Sequence, residues 1–440
     1  MSPEPTTSDA PPPVVPPVLP PVLPPAPHLA EPSLEQVTPA TFVDWTKAFA
    51  RGFHEEHHPE TEDLDREVFE DDRSFGFRVG DRWVATCGAL TRELTVPGGA
   101  SVPTAAVTVV TVHPPYRRRG LLSAMMRHQL DDVARRGEPL AALWASESLI
   151  YGRFGYGPAV SRLRLHGRTR SLDFLPGVAT GGSVDEVTRE QFEAVVRPLH
   201  ERLRRTRPGT MARPADHSWE MALLDRPFVR DGATELRHVV HWSRAGEVDG
   251  FATYRFKEGG TATEPDSEVR VQELWAEDPV AHATLWRYLL DLDLARRFLA
   301  RNAASDEPLR LLVRDARAVG TEVLDALYVR LVDVPAALRA RSYAAPVDVV
   351  LEVTDELLPA NAGRWRLRTD GPAASTTVER TSDPADVSLG VLELGTAYLG
   401  GVRLTDLHRV DRVTEHTSGA VAAAGTALSW HRDPWCPDFF

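Results

Sequence analysis

Apolar residues recur at three-to-four spacing through Phe42, Trp45, Phe49 and Phe53, which predicts a helix starting at Thr41. The period then shortens. Residues 75–79 and 82–90 read as strands around the turn Gly80-Asp81. Strands over 94–96 and 105–113 follow, separated by Pro97-Gly98-Gly99. From Gly120 to Arg136 the pattern is helical again: Leu121, Leu122, Met125, Leu130 and Val133 form one stripe, and Gly137 stands where a C-cap belongs. Residues 140–146 make a compact apolar strand. This alternation predicts a mixed α/β domain.

A second block repeats the rhythm, with a strand over 268–276 and a helix over 279–292 entered through Asp278 and Pro279. A further strand is predicted over 309–313. A third block, of α+β character, starts with a strand over 326–332, continues with strands over 347–353 and 365–368, and ends in helices near 391–398 and toward Leu428. The expected organisation is therefore a tail over 1–33 and domains over 34–170, 171–321 and 322–440. The tail is proline-rich and low in complexity, which favours extended polyproline II over any packed core.

With 440 residues, 42% of them hydrophobic and 26% charged, the chain has a globular balance and room for several cores. Lys plus Arg number 50 against 63 Asp plus Glu, a formal net charge of −13. A field of that sign disfavours nucleic acid and anionic membranes as partners and favours cations. Cys87 and Cys436 are the two cysteines, too few for a disulfide framework, and this usage suits a reducing cytoplasm. No apolar run reaches the ~18 residues that a membrane span needs, and the proline-broken start lacks the pattern of a secretory signal. A soluble, cytoplasmic protein is the expectation.

The segment from Val107 to Leu122 concentrates the chemistry. A strand runs into His113-Pro114-Pro115-Tyr116-Arg117-Arg118-Arg119-Gly120, and that basic turn opens directly into a helix. Unpaired amides at a helix start bind anions, glycine allows close approach, and arginine supplies forked donors for phosphate oxygens. A pyrophosphate is the expected ligand. The segment fits neither a Walker loop nor G-x-G-x-x-G.

After the next strand come Ala142-Leu143-Trp144-Ala145-Ser146-Glu147 and Ile150-Tyr151-Gly152-Arg153-Phe154-Gly155-Tyr156-Gly157. Together with Arg117-Arg118-Arg119-Gly120-Leu121-Leu122, these motifs resemble the GNAT superfamily of acetyltransferases. They look like its enhanced-intracellular-survival family, bacterial enzymes that acetylate amines of aminoglycosides and related polyamines, so the expected acceptors are aminoglycosides, polyamines or lysine side chains. The segments 334–338, 341–343 and 395–401 match that family's sterol-carrier-like third domain, and 273–276 with 283–287 match its second acetyltransferase-like domain. The resemblance thus covers about residues 34–440 and implies two tandem GNAT-like domains followed by a sterol-carrier-like α+β domain. It also implies acetyl-CoA as cosubstrate, no metal, and a homohexamer.

Acetylation of an amine needs proton removal from the amine, a donor for the developing oxyanion, and an acid for the departing thiolate. The resemblance assigns these roles residue by residue. The backbone N–H of Val110 is the expected oxyanion donor, with Thr111 and Val112 along the pantetheine arm. Arg117, Arg118, Arg119, Gly120, Leu121, Leu122 and Ser123 would cradle the pyrophosphate, and Ser146 and Glu147 border the cofactor. Tyr151 is the expected general acid, its phenol near an ordinary ~10 and close to the thiol's ~8.5; Tyr156 is structural. The terminal carboxylate of Phe440 is the expected base. The family often has an acid just before its last residue, where this chain has Phe439 and places Asp438 one earlier. Glu55, Val109, Trp144 and Phe439 are the expected contacts of a cationic amine substrate.

Two segments set limits on this reading. In the second block Glu277 and Asp278 stand where the first has arginines, so that copy is expected to repel a pyrophosphate and leave one active site per chain. His54-Glu55-Glu56-His57-His58 satisfies H-E-x-x-H, but Pro59 disfavours a helical His58, so zinc is not expected. The other readings are a non-catalytic protein that keeps the fold to bind CoA or lipid, and a zinc hydrolase.

Overall fold

The computed structural model describes residues 31–440 apart from 262 and 373, and the proline-rich stretch up to residue 30 lies outside the described residues. The chain first forms β1 (Ser33–Gln36), β2 (Ser74–Val79), β3 (Arg82–Thr95), β4 (Ser101–Val112), β5 (Leu140–Trp144), β6 (Gly157–Pro158) and β7 (Ser161–Arg168). Next come β8 (Ser183–Val187), β9 (Arg237–Trp242), β10 (Val248–Lys257), β11 (Ser267–Ala276), β12 (Ala295–Ala304) and β13 (Gly320–Asp325). The last strands are β14 (Leu327–Leu331), β15 (Val347–Thr354), β16 (Gly363–Thr369), β17 (Thr376–Arg380), β18 (Val387–Gly390) and β19 (Val413–Glu415). Three sheets result, in the orders β1-β2-β3-β4-β5-β14-β6, β13-β7-β12-β11-β10-β9-β8 and β17-β16-β15-β18-β19.

The first two sheets share a pattern. In each, an antiparallel pair leads into a parallel one: β3 and β4 then β4 and β5, and β10 and β11 then β11 and β12. A helix makes each parallel crossover, α3 (Leu121–Arg136) in the first and α7 (Pro279–Leu290) in the second. The remaining helices that matter for the site are α1 (Phe42–Phe53), α2 (Glu62–Val68), α4 (Ser148–Tyr151), α5 (Arg189–Arg204) and α6 (Asp216–Ala222). The molecule is thus the mixed α/β and α+β multidomain assembly expected.

Amphipathic spacing explains the helices that form. Trp45 is fully buried on α1, and its indole N–H donates to the Phe75 carbonyl at 3.1 Å, which ties the helix to β2. On α3, Leu121, Met125, Leu130 and Val133 are buried and Gly137 caps the end at φ 73°. Leu122 departs from that stripe and faces the cavity described below.

Local pattern misplaces some elements. Residues 309–313, expected as a strand, form the short helix α8 (Leu309–Leu312), with Leu309 buried and Leu311 exposed. A short segment with Arg310 among its apolar residues carries no clear period, and the Glu307 carboxylate accepting from the Leu309 amide at 3.0 Å favours the turn. Residues 94–96 give no separate strand, because β3 continues to Thr95. Two strands also join a sheet other than the one their place in sequence suggests. β7, within residues 34–170, pairs with β12 and β13 in the second sheet. β14, from the expected third block, pairs antiparallel with β5 in the first, Leu327 opposite Trp144. Arg330 on that strand is fully buried and bonds Asp355 at 2.7 Å and the Phe154 carbonyl at 2.9 Å, locking the third domain onto the first.

Candidate active site

Strand β4 is irregular where the chemistry is expected. Thr86 pairs with Thr111 and Gly88 with Thr108, so the single residue Cys87 faces both Val109 and Val110. This bulge puts Val109 at φ 49°, an uncommon conformation for a β-branched residue, and the Thr86 hydroxyl holds it by donating to the Val109 carbonyl at 2.7 Å. A bulge leaves one residue outside the ladder and re-aims its amide. On the other side, β4 pairs with β5 only from Thr104 to Val107. Val110, Thr111 and Val112 therefore run past the end of that pairing, beside a wedge-shaped opening between the strands.

At the mouth of the opening, Arg117 to Gly120 turn sharply into α3. Arg118 stands at φ 63° and Gly120 at φ 83°, the left-handed region where glycine alone is free of strain. No side chain caps α3 and its first turn carries no acid, so its leading amides are left for an anion. The Arg117 guanidinium donates to the Val112 carbonyl at 3.1 Å, fixing the loop to the strand.

These features line one cavity of about 580 Å³, which also takes in Ser146, Glu147 and Tyr151. Val110, Thr111, Val112, Arg117, Arg118, Gly120, Leu121, Leu122 and Ser123 all border it. Arg119 does not; its guanidinium sits over the Tyr116 ring, 5.1 Å from the centroid.

Tyr151 ends α4 and is 5% exposed, its ring 6.2 Å from that of Tyr156 at an edge-on angle. Tyr156 is fully buried, and its hydroxyl has no hydrogen-bond partner among the described residues. Burial, with Cys87 and Glu147 adding to it, pushes the Tyr151 phenol above its ordinary value. This differs from the unperturbed phenol expected from sequence: Tyr151 stays protonated but holds its proton more tightly. Burial also raises the Cys87 thiol, which leaves it an inert core group.

The C-terminal segment crosses the second domain to the first sheet, where Asp438, Phe439 and Phe440 line a separate cavity with Trp144. The Trp435 ring packs 4.9 Å from that of Trp275, while its backbone and indole N–H groups donate to Pro208 and Asn302 carbonyls at 2.9 and 3.1 Å. Asn302 returns a bond to the Cys436 carbonyl at 3.0 Å. Asp438 pairs with Arg213 at 2.7 Å, and its carbonyl accepts from the Trp144 indole at 2.8 Å. Phe440 then packs against Val68, Leu90 and Ala106, on the face of β3 and β4 that α1 and α2 cover. Phe439 is 74% exposed and touches the Trp144 ring at 5.2 Å, so Phe440 alone of the pair is anchored. The sequence gives no local signal for Arg213, Asn302 or Trp275, because each meets the tail across more than a hundred residues.

Glu55, Glu56 and Asp65 line a smaller cavity of about 240 Å³ between α1, α2 and Phe228. Desolvation raises the Asp65 carboxyl. Helix α1 ends at Phe53 and His54 turns left-handed at φ 63°, so the H-E-x-x-H residues do not share a helical face. His57 lies 3.2 Å from the Thr46 hydroxyl and His58 stacks on Phe228 at 3.6 Å.

The second sheet has a parallel opening, since β11 and β12 pair only as far as Val271 and Ala300. Its helix start is occupied: the Asp278 carboxylate accepts from the Val280 and Ala281 amides at 2.7 and 2.9 Å. Glu277 is paired with Arg202 at 2.9 Å, and Trp435 lines the cleft, which measures about 460 Å³.

Comparison with known proteins finds two acetyltransferase-type domains and a sterol carrier domain in the chain. Models of the acetyltransferase (GNAT) domain match residues 33–159 and 209–331, and a sterol carrier protein domain matches 334–437. An uncharacterized N-acetyltransferase of Streptomyces coelicolor is 45% identical over 90% of this chain and 96% of its own length. The N-acetyltransferase Eis of Mycobacterium tuberculosis is 37% identical over 73% of this chain and 77% of its own. Among solved structures, Eis1 from Mycobacterium abscessus superposes with a TM-score of 0.80 at 32% identity, covering 93% of this chain and all of that one. A GCN5-related N-acetyltransferase from Kribbella flavida gives a TM-score of 0.72 at 25% identity with the same coverage.

Proposed function

The chain belongs to the Eis-like family of GNAT N-acetyltransferases, and we propose that it acetylates an amine at the opening between β4 and β5, with Tyr151 as general acid and the carboxylate of Phe440 as general base. The observation that carries this reading is the joining of three features in one cavity: the bulge at Val109–Val110, the uncapped start of α3, and the Tyr151 phenol. A pantetheine arm fits the unpaired stretch of β4, and a pyrophosphate fits the α3 amides beside Arg117 and Arg118. When bound there, acetyl-CoA supplies the acetyl thioester.

The chain's own groups supply the rest. The Val110 amide donates to the carbonyl oxygen as negative charge develops on it. The Phe440 carboxylate takes the proton that the amine gives up as its nitrogen–carbon bond forms. Tyr151 gives its proton to the sulfur as the carbon–sulfur bond breaks. Its raised phenol matches a thiolate formed in the same dry surroundings, where desolvation raises the sulfur's proton affinity too. Glu55, Glu56 and Asp65 favour a cationic amine on the acceptor side, near Phe440.

The test is calorimetry with CoA followed by thiol release from acetyl-CoA with a panel of amines. Binding together with amine-dependent thiol release is the expected result. Binding without release from any amine contradicts the catalytic roles and leaves a CoA-binding protein.

A further inference from the structure

A second cavity, of about 350 Å³, opens between the face of the first sheet beneath Phe440 and the second domain. Its walls are strongly basic, unlike the acid-lined groove on the other side of Phe440 and unlike the net-acidic chain as a whole. Much of that charge is unanswered. Arg230 and Arg255 share the single carboxylate of Asp225. Arg301 and Lys257 converge on Asp231 at 3.5 and 3.7 Å, while Arg270 bridges both Asp231 at 2.9 Å and Glu268 at 2.8 Å. Arg92 and Arg162 have no carboxylate partner among the described residues: their guanidinium groups donate to the Thr91 and Arg301 carbonyls at 3.0 and 3.3 Å. Burial lowers the pKa of both, against the opposing pull of Asp438 and Glu70 on Arg92 and of Asp325 on Arg162.

Arg213 is 8% exposed and salt-bridged through Nε and one Nη, while its other Nη has no partner among the described residues. Asp438, which it holds, keeps one unpartnered buried oxygen. Arg213 is thus answered by two carboxylates, which leaves Arg92 and Arg162 as the cations open to a ligand.

The cavity adjoins the reaction centre. Trp144 lines it and stands two residues before Ser146, which borders the CoA cavity, and Phe440 lines it as well. We propose that the acceptor carries an anionic group, a carboxylate or a phosphate, seated beside Arg92 and Arg162 while its amine lies at the Phe440 carboxylate. This rests on the acetyltransferase reading and narrows it from polycations to amines with an anionic far end.

The test compares matched acceptors. Glycine oligomers span about 3.5 Å per residue, so a series of one to four residues varies the separation of amine and acid. They are supplied as free acids, as C-terminal amides and alongside simple diamines, and aminoalkyl phosphates are compared with the corresponding amino alcohols. The acids are expected to exceed the amides in kcat/KM by about tenfold, and the ratio should collapse toward one in Arg92→Gln and Arg162→Gln. The same preference confined to the phosphates supports the proposal and names phosphate as the anion. Amides or diamines preferred over acids and phosphates, or a preference untouched by both variants, overturns it.

If no amine releases thiol, the catalytic reading fails while the anion site is still decided by a thermal shift. A rise with the N-acetylated oligomer acid but not its amide, absent in Arg92→Gln, upholds the site. No rise with either acid or aminoalkyl phosphate overturns it.

Discussion

Tyr151 shows what a single residue contributes and what sequence can say of it. Its motif marks it out, but its burial could not be read from the motif, because the walls around the phenol include Cys87 from a strand more than sixty residues earlier. Replacing Tyr151 with Phe removes the proton donor and keeps the ring. Turnover should fall about a hundredfold or more while CoA affinity stays within about twofold; a variant as fast as the parent would remove Tyr151 from the mechanism. The arginines of the loop divide in the same way. Arg118 borders the cavity, whereas Arg119 lies over Tyr116, although the sequence presents them as equals. Arg118→Ala is expected to weaken CoA binding by about tenfold and Arg119→Ala by much less, as calorimetry would show.

Among the elements, those with a clear period were legible: α1, α3 and α7 form where their stripes predict. The bulge in β4 was not, since one extra residue leaves no trace in an apolar run such as Val107 to Val112. Helix starts are the instructive contrast. α3 has a glycine and arginines ahead of an uncapped first turn, and α7 has a carboxylate folded back onto its amides. The acids at 277 and 278 oppose a phosphate by charge, and the structure adds that the Asp278 carboxylate already accepts from the leading amides. Asp278→Ala should therefore cost about 1 kcal/mol of stability through the lost cap. Calorimetry should still find one CoA per chain in parent and variant, because Trp435 and Glu277 remain in that cleft; a stoichiometry near two would refute the assignment.

Over the whole molecule, the domains interlock in a way no local pattern reveals: β7 and β14 cross between sheets, and the tail crosses the second domain to reach the first. Among the described residues, no helix is long and apolar enough to cross a membrane. The seat of the tail should be sensitive to acid. His200 lies between Trp219 and Trp275, and burial, with Arg213 and Arg204 nearby, holds its pKa well below the usual 6.5. Below that pH the unfolded chain takes up a proton that the folded chain refuses, so stability is lost as pH falls. His238 is shifted the same way, again chiefly by burial. The melting temperature should drop between about pH 7 and 5, and less steeply in His200→Leu. The central claim, one active site completed by the chain's own last residue, is tested most directly by extending the chain past Phe440 with a short Gly-Ser segment. Measured side by side with the parent, the extended protein should bind CoA within about twofold and lose at least about a hundredfold in amine-dependent thiol release. An extended protein with full turnover would contradict the account.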